Sequence, residues 1–315
     1  MDKLVLIDGN AIMHRAYHAL PPLTTRDGTV VGAVYGVVSI LVNALTSIVP
    51  THVVVAWDLP TPTFRHEKYI GYKAQRPKAD AEMVTQIPLV KEVIARIPLT
   101  QVEQAGYEAD DIIGTLAKKG SELLGSSEPN EVIILTGDQD TMQLVSDKVK
   151  ILTPAKGKNP PVLYGPEEVR TKYGVTVAQI VDFKALIGDS SDNIPGVAGI
   201  GPVTAAKLLN EYETLEGIYN AIHNLQFTIH NSETIMKKLE AGRDSAFLSQ
   251  DLSRIVTDME IKVSEEEMEY QGLQGPTLKE ELTKLGFRSL VRRIWGELER
   301  EQKNKNIDTN QMGLF

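Results

Sequence analysis

Three short apolar runs, rich in β-branched residues, each stop at an aspartate, and no other pattern constrains the fold of this chain as tightly. KLVLID ends at Asp8, THVVVAWD at Asp58, and EVIILTGDQD at Asp138 and Asp140. Between them lie segments of helical period, such as Val37 to Ile48 and Ile87 to Ile97. Strands alternating with helices predict an α/β fold with a mostly parallel central sheet flanked by helices. The ligand crevice of such a sheet lies outside the carboxyl ends of its strands, so these aspartates are expected along one edge. A single Asp after a strand is ordinarily a turn former or an N-cap. Three independent strands ending this way are harder to assign to turns.

Two further clusters carry acid. In YEADDIIGTLA (107–117), Glu108, Asp110 and Asp111 precede Ile112, Ile113 and Leu116. Acids in a first helical turn complement the macrodipole, which explains one or two of them better than three. Helix decoration and a metal site both stay open on this stretch alone. In LIGDSSDNIPG, Asp189 and Asp192 are three apart and would face the same way on a helical turn, the plain alternative being a polar loop before Pro195. The candidate set is then nine: Asp8, Asp58, Glu108, Asp110, Asp111, Asp138, Asp140, Asp189 and Asp192.

Two carboxylates at about 4 Å repel by about 4 kcal/mol at an effective dielectric of about 20. Several such pairs would strain a domain whose stability is about 5–15 kcal/mol, so converging acids need a cation among them. Oxygen donors without His or Cys favour Mg²⁺ or Mn²⁺ over zinc. Two such ions about 3.5–4 Å apart are the usual arrangement for cutting phosphodiesters. The net charge of −9 (33 basic, 42 acidic residues) argues at first against nucleic acid. If nine acids serve one site they account for that whole excess, and DNA is no longer excluded.

At 315 residues, 42% hydrophobic and 24% charged, the chain reads as soluble and globular, with room for one large or two ordinary domains. It has no cysteine, which excludes disulfides and thiolate metal sites and fits a reducing, cytoplasmic setting. MDKLVLIDGN has too short an apolar run for a signal peptide. Residues 28–57 carry no Asp, Glu, Lys or Arg, so a membrane span has to be weighed. Ser39, Asn43, Thr46 and Ser47 line up as a polar stripe and Pro50 breaks the run, which predicts a core helix followed by a strand and no membrane partner.

Two segments suit a nucleic-acid partner. Residues 59–79 hold Arg65, Lys68, Lys73, Arg76 and Lys78 with Phe64, Tyr69 and Tyr72 interleaved. Cations that grip phosphate beside aromatics that stack on bases serve single-strand binding, although a solvated amphipathic helix would look similar. Further on, GVAGIG is a glycine hairpin leading into an apolar-periodic helix near Pro202. Backbone N–H groups exposed there would hold DNA phosphate without base specificity.

Taken in order, LVLIDGNAIMHRAYHAL, GAVYG, YKAQRP, EADDIIGTLA, TGDQDTMQLV, YGPEEVRTKYGV and DFKALIGDSSDNIPGVAGIG resemble the 5′ nuclease domain at the front of bacterial DNA polymerase I, in the flap endonuclease family. The resemblance runs to about residue 295. It implies a two-metal phosphodiesterase acting on branched or 5′-flap DNA, with the nine acids on its metal-ligand positions. It also implies that Lys73 and Arg76 lie near the scissile phosphate and, with Asp8, Asp111 and Asp140, carry the rate. Arg15, Lys73 and Arg76 match phosphate-contacting bases, and Tyr72 matches an aromatic that stacks on substrate. Residues 59 to about 85 would form a helical arch or clamp beside the active site. Residues 196–209, with Gly196, Gly199, Gly201, Thr204 and Lys207, match a helix-hairpin-helix that holds duplex DNA, usually with a K⁺ ion at the hairpin carbonyls. Pro202 and Val203 stand where family members often carry a Glu-Lys pair, which leaves one phosphate contact open while Thr204 and Lys207 remain.

The implied organisation is a nuclease core over 1–185, a helical DNA-binding region over 186–295 and a flexible tail over 296–315, acting as a monomer. A chain of this length leaves no room for a polymerase domain, so it reads as a free-standing nuclease or a piece of a longer chain. After Trp295 the sequence turns polar and ends in QMGLF. Gln311, Leu314 and Phe315 resemble the peptide by which bacterial replication proteins dock on the sliding clamp. Two rival readings stand beside this one. DQDT (138–141) and GDSSD (188–192) also spell motifs of haloacid-dehalogenase-type phosphatases, but two acid-tipped strands precede the first. The other rival is a nuclease-like fold that only binds flap DNA.

Overall fold

The computed structural model describes residues 2–123, 131–228 and 232–296. The acid-tipped runs form strands β1 (Lys3–Asp8), β2 (His52–Trp57) and, after β3 (Thr100–Glu103), β4 (Glu131–Leu135). With β5 (Val149–Thr153) and β6 (Val162–Tyr164) they make a six-stranded sheet in the order β3-β2-β1-β4-β5-β6. All neighbours run parallel except the β5–β6 pair. The strands TQVE, VKILT and VLY, the first and last of them at the sheet edges, were not individually expected, because they are short and partly exposed and their apolar signal is weak.

Alternation along the strands builds two cores. Leu4, Leu6, Val54, Ala56, Val132 and Ile134 enter one, and Val5, Ile7, Val53, Val55, Ile133 and Leu135 the other. Helices α1 (Gly9–Ala19), α2 (Gly32–Ile48), α3 (Phe64–Lys68), α4 (Ala81–Arg96) and α5 (Ala109–Leu123) connect the strands. Beyond β6 follow α6 (Pro166–Tyr173), α7 (Ile180–Ile187), α8 (Pro202–Tyr212), α9 (Leu215–His223), α10 (Ser232–Ala241), α11 (Arg243–Ser253), α12 (Glu265–Met268) and α13 (Pro276–Lys284). The first core is continued by α5, α7, α8, α9 and α11. The second takes α1, α2 and α4, and α13 returns to it through Leu278 and Leu282.

Residues 28–57 are a core helix and a strand. Asn43, Thr46 and Ser47 are exposed, Ser39 is half-buried, and α2 ends at Ile48 before a left-handed Val49. Among the described residues no helix is long and apolar enough to cross a membrane. Within residues 59–85 the chain forms the five-residue α3, tight turns that lie down on the carboxyl edge of the sheet, and the first residues of α4.

Candidate active site

Strand order reverses between β1 and β4, so the crevice of the sheet opens beyond their carboxyl ends. Asp8 ends β1 and caps α1, accepting from Ala11 N–H at 2.9 Å and from Thr136 Oγ1 at 2.8 Å. Thr136 Oγ1 in turn accepts from Asp138 N–H at 2.9 Å, and Asp138 Oδ1 accepts from Asp140 N–H at 2.9 Å. Asp58 reaches across to α5, where Ala109 N–H donates to its Oδ1 at 2.7 Å. Asp110 sits in the field of Asp138, Asp8, Asp140 and Asp58. Among the described residues no lysine or arginine forms an ion pair with Asp8, Asp58, Asp110 or Asp138.

The electrostatics record that imbalance. Burial pushes the Asp8 carboxyl up to about 7, offset in part by its two hydrogen bonds and reinforced by Asp58 and Asp138. Burial, then the four neighbouring acids, holds Asp110 well above the ordinary carboxylate range. Burial also raises Asp58. No three of the described carboxylates close on one point as a ready-made metal cage. The donor chemistry nonetheless fits a hard divalent ion, since these are all oxygens held beside one another without an ion-paired cation, Lys73 and Arg76 reaching only Asp58 and only at longer range.

The remaining acids are already compensated. Lys184 on α7 donates to Asp140 and, at 2.9 Å, to Asp189 Oδ2. Burial lowers its affinity for a proton, but the two carboxylates outweigh that and raise it. Asp140 is nevertheless pushed up to about 6, burial outweighing Lys184. Asp189 goes the other way: burial opposes its charge, yet Lys184 and Ser191 hold it at about 2. Glu108 and Asp192 are bound by the insert, through Tyr72, Lys73 and Arg76.

Several expectations are corrected. Asp111 does not join the crevice; it is fully buried and pairs in two-pronged fashion with Arg65, at 2.7 and 2.8 Å. It also accepts from Glu108 N–H at 3.0 Å and Val256 N–H at 2.9 Å, which leaves its oxygens no room for a metal. Tyr72, expected to stack on substrate, is buried with its hydroxyl between Glu108 and Asp192, so its ring is not presented to a base. Asp189 and Asp192 lie on a turn closed by Asp189 and Ile194 and address different cations, not one face of a helix. Gly196 is buried and donates its N–H to Ser249 Oγ at 2.9 Å, so that group is not available to phosphate.

The other basic and hairpin residues are better placed. Arg15 donates to the Ala155 and Pro154 carbonyls beside the Asp138 loop. Gly199 and Gly201 are exposed at the turn between α7 and α8, Lys207 is exposed on α8, and Thr204 is half-buried. Lys238 Nζ donates to the Gly199 carbonyl at 3.1 Å. Gln311, Leu314 and Phe315 lie outside the described residues. Sequence reasoning missed Lys184, although a lysine inside the apolar helix IVDFKALI was a signal, and it missed the structural roles of Arg65 and Thr136.

Acids gathered at the switch point of a mostly parallel sheet, cations facing them and a helix-hairpin-helix alongside define a protein of the nuclease class. A family profile described as 5′-3′ exonuclease, N-terminal resolvase-like domain, matches residues 3–174, and one described as 5′-3′ exonuclease, C-terminal SAM fold, matches residues 175–275. The chain belongs to the 5′-3′ exonuclease family. It is 39% identical over 309 residues to DNA polymerase I of Bacillus subtilis, covering 97% of this chain and 34% of that protein. It is 42% identical over 262 residues to the Deinococcus radiodurans DNA polymerase I, covering 83% and 26%. The chain thus spans about a third or less of the length of these relatives. Solved structures of similar fold include T5 5′-exonuclease with bound divalent zinc ions, at 23% identity and TM-score 0.64, covering 81% of this chain and 90% of that one. The catalytic core of Rad2 in complex with DNA substrate aligns at 17% identity and TM-score 0.56, covering 94% and 88%. The phosphatase reading has no place in this family.

Proposed function

We propose that the chain is a Mg²⁺-dependent 5′→3′ exodeoxyribonuclease and flap endonuclease, with Mn²⁺ able to substitute, that hydrolyses phosphodiesters of branched DNA during primer removal and repair. The observation that carries this reading is the group of unpaired acids Asp8, Asp58, Asp110 and Asp138 at the switch-point crevice. Those four would hold one ion, and Asp140, Asp189, Asp192 and Glu108 would serve a second. Bound there, the ions supply charge to the attacking and leaving oxygens of an in-line displacement that yields a 5′-phosphate. The protein's own part is to fix the carboxylates, through Thr136, Ala11 N–H and Ala109 N–H, and to bring Lys73, Arg76 and Arg15 to the phosphate.

The exposed hairpin at Gly199 and Gly201, with Thr204 and Lys207, would hold the duplex arm. A K⁺ ion at the hairpin carbonyls would compete with Lys238 for Gly199, so comparing DNA affinity in K⁺ and Na⁺ salts tests it. Docking of Gln311, Leu314 and Phe315 on a sliding clamp is tested by deleting 311–315: clamp-stimulated cleavage should be lost and clamp-free cleavage kept.

The main test is a 5′-flap oligonucleotide incubated with Mg²⁺, Mn²⁺ or EDTA. Cleavage is expected with either ion and none in EDTA, and Asp110→Asn should remove most of the rate. Binding without cleavage under all conditions would make this a DNA-binding module only.

A further inference from the structure

The crevice acids differ in what neutralises them, and the insert accounts for one pair. Glu108 precedes α5 and Asp192 follows α7, yet both are gripped by one short turn. The Tyr72 hydroxyl lies 3.0 Å from Glu108 Oε2 and 3.1 Å from Asp192 Oδ2. It has a single proton, so the two carboxylates share one donor. Lys73 Nζ is 2.8 Å from Glu108 Oε1 and 3.8 Å from Asp192 Oδ2, and Arg76 takes Asp192 Oδ1. The turn is anchored by its backbone as well: Lys73 N–H donates to the Asp192 carbonyl at 2.9 Å, and Asn193 Nδ2 donates to the Gly71 carbonyl at 2.7 Å. Lys73 is held there at φ +56°, uncommon for a residue with a side chain.

We propose that Tyr72, Lys73 and Arg76 form a latch on Glu108 and Asp192 that a divalent ion has to displace, so that metal loading releases the insert's cations toward substrate phosphate. The inference rests on the two-metal reading. A carboxylate oxygen coordinating a hard cation at about 2.0–2.6 Å cannot keep an ammonium or guanidinium on the same lone pairs, and the two positive charges repel. The anchoring backbone bonds keep the turn in place, so what moves is the side chains. Lys73 and Arg76 would thus be positioning residues of the metal-free protein and phosphate ligands of the loaded one. Cation and phosphate would then arrive in a fixed order.

The test is lysine acylation of the full chain, read by mass spectrometry, beside calorimetric titration with Mg²⁺. In EDTA Lys73 should label slowly, being only 20% exposed and paired. Mg²⁺ should speed its labelling several-fold, while Lys68, paired with Asp251 at 2.6 Å, stays unchanged. Tyr72→Phe keeps the charge but removes a donor that the ion must displace, so it should bind Mg²⁺ several-fold more tightly, while the direct pair with Glu108 keeps Lys73 slow to label in EDTA. Lys73→Gln should likewise tighten Mg²⁺ binding, a second variant should the first fold poorly. Calorimetric Mg²⁺ binding with no change in Lys73 labelling would overturn the latch alone. Weaker Mg²⁺ binding by Tyr72→Phe would also overturn it, since Tyr72 would then be organising the ligands for the ion. Absence of any Mg²⁺ binding would overturn the latch and the two-metal reading together.

Discussion

Asp110 and Asp111 are neighbours in sequence with opposite roles. Successive residues on a helix point about 100° apart, so only one of the two can face the crevice. Asp110 enters the field of Asp8, Asp58, Asp138 and Asp140, whereas Asp111 turns inward to Arg65. Breaking a buried ion pair by removing one partner costs about 3–5 kcal/mol, because the other charge is left unpaired. Arg65→Met is therefore expected to lower unfolding free energy by about that amount in urea titrations, and an undiminished midpoint would show the pair to be dispensable. Asp8→Asn should have the opposite effect on the metal-free protein. At about pH 8, where Asp8 is ionised, the amide oxygen can still cap Ala11 N–H and a buried charge with no cation beside it is removed, which outweighs the lost bond from Thr136 Oγ1. Its melting temperature in EDTA should rise while flap cleavage falls to near background, a separation of stability from activity that a purely structural Asp8 would not show.

The α7–hairpin–α8 element depends on close backbone contact. A Cβ on Gly196 would stand 2.3 Å from Gly188 N, and Gly196 has φ +62°, so both space and conformation require glycine. Gly196→Ala should destabilise the chain, measured by thermal melting, and a wild-type melt would mean the hairpin relaxes freely. Lys207 lies exposed on the next helix. Lys207→Ala should leave the melt unchanged and reduce the salt slope of duplex binding by about one unit. An unaltered slope would place the duplex elsewhere. The hairpin itself was legible from its glycines. Its tie to Ser249, 53 residues away, was not, because no local pattern marks a hydroxyl that meets a distant N–H.

For the whole molecule, the raised carboxyls set a pH dependence. Asp8 and Asp140 titrate at about 7 and about 6 in the folded chain and Asp110 is raised too, against about 4 for ordinary carboxylates. The native state therefore keeps protons that the unfolded chain has released, and stability falls as pH rises through this window. Asp189, held at about 2, contributes in the other sense, but its contribution is complete above about pH 4 and lost only below that. Calorimetry in EDTA should show the melting temperature dropping between about pH 5 and about pH 7.5, and Mg²⁺ should reverse the drop by binding the ionised acids. A flat profile or a rise in EDTA over this window would show that the acids ionise without penalty.

The same imbalance separates what the sequence determined from what only the folded chain decided. Short apolar runs ending in Asp8, Asp58 and Asp138 are local information, and with the helical segments between them they were enough to define the parallel sheet, its acidic edge and the crevice, because strands buried on both faces read as continuous apolar runs and the crevice lies at their carboxyl ends. Which acids stand unpaired was not local. Arg65 reaches Asp111 across 46 positions, Lys184 reaches Asp140 across 44, and Tyr72 reaches Asp192 across 120. Charge compensation is set by distances of a few ångströms between side chains that only tertiary packing brings together, and those distances decide which carboxylates are left for a metal.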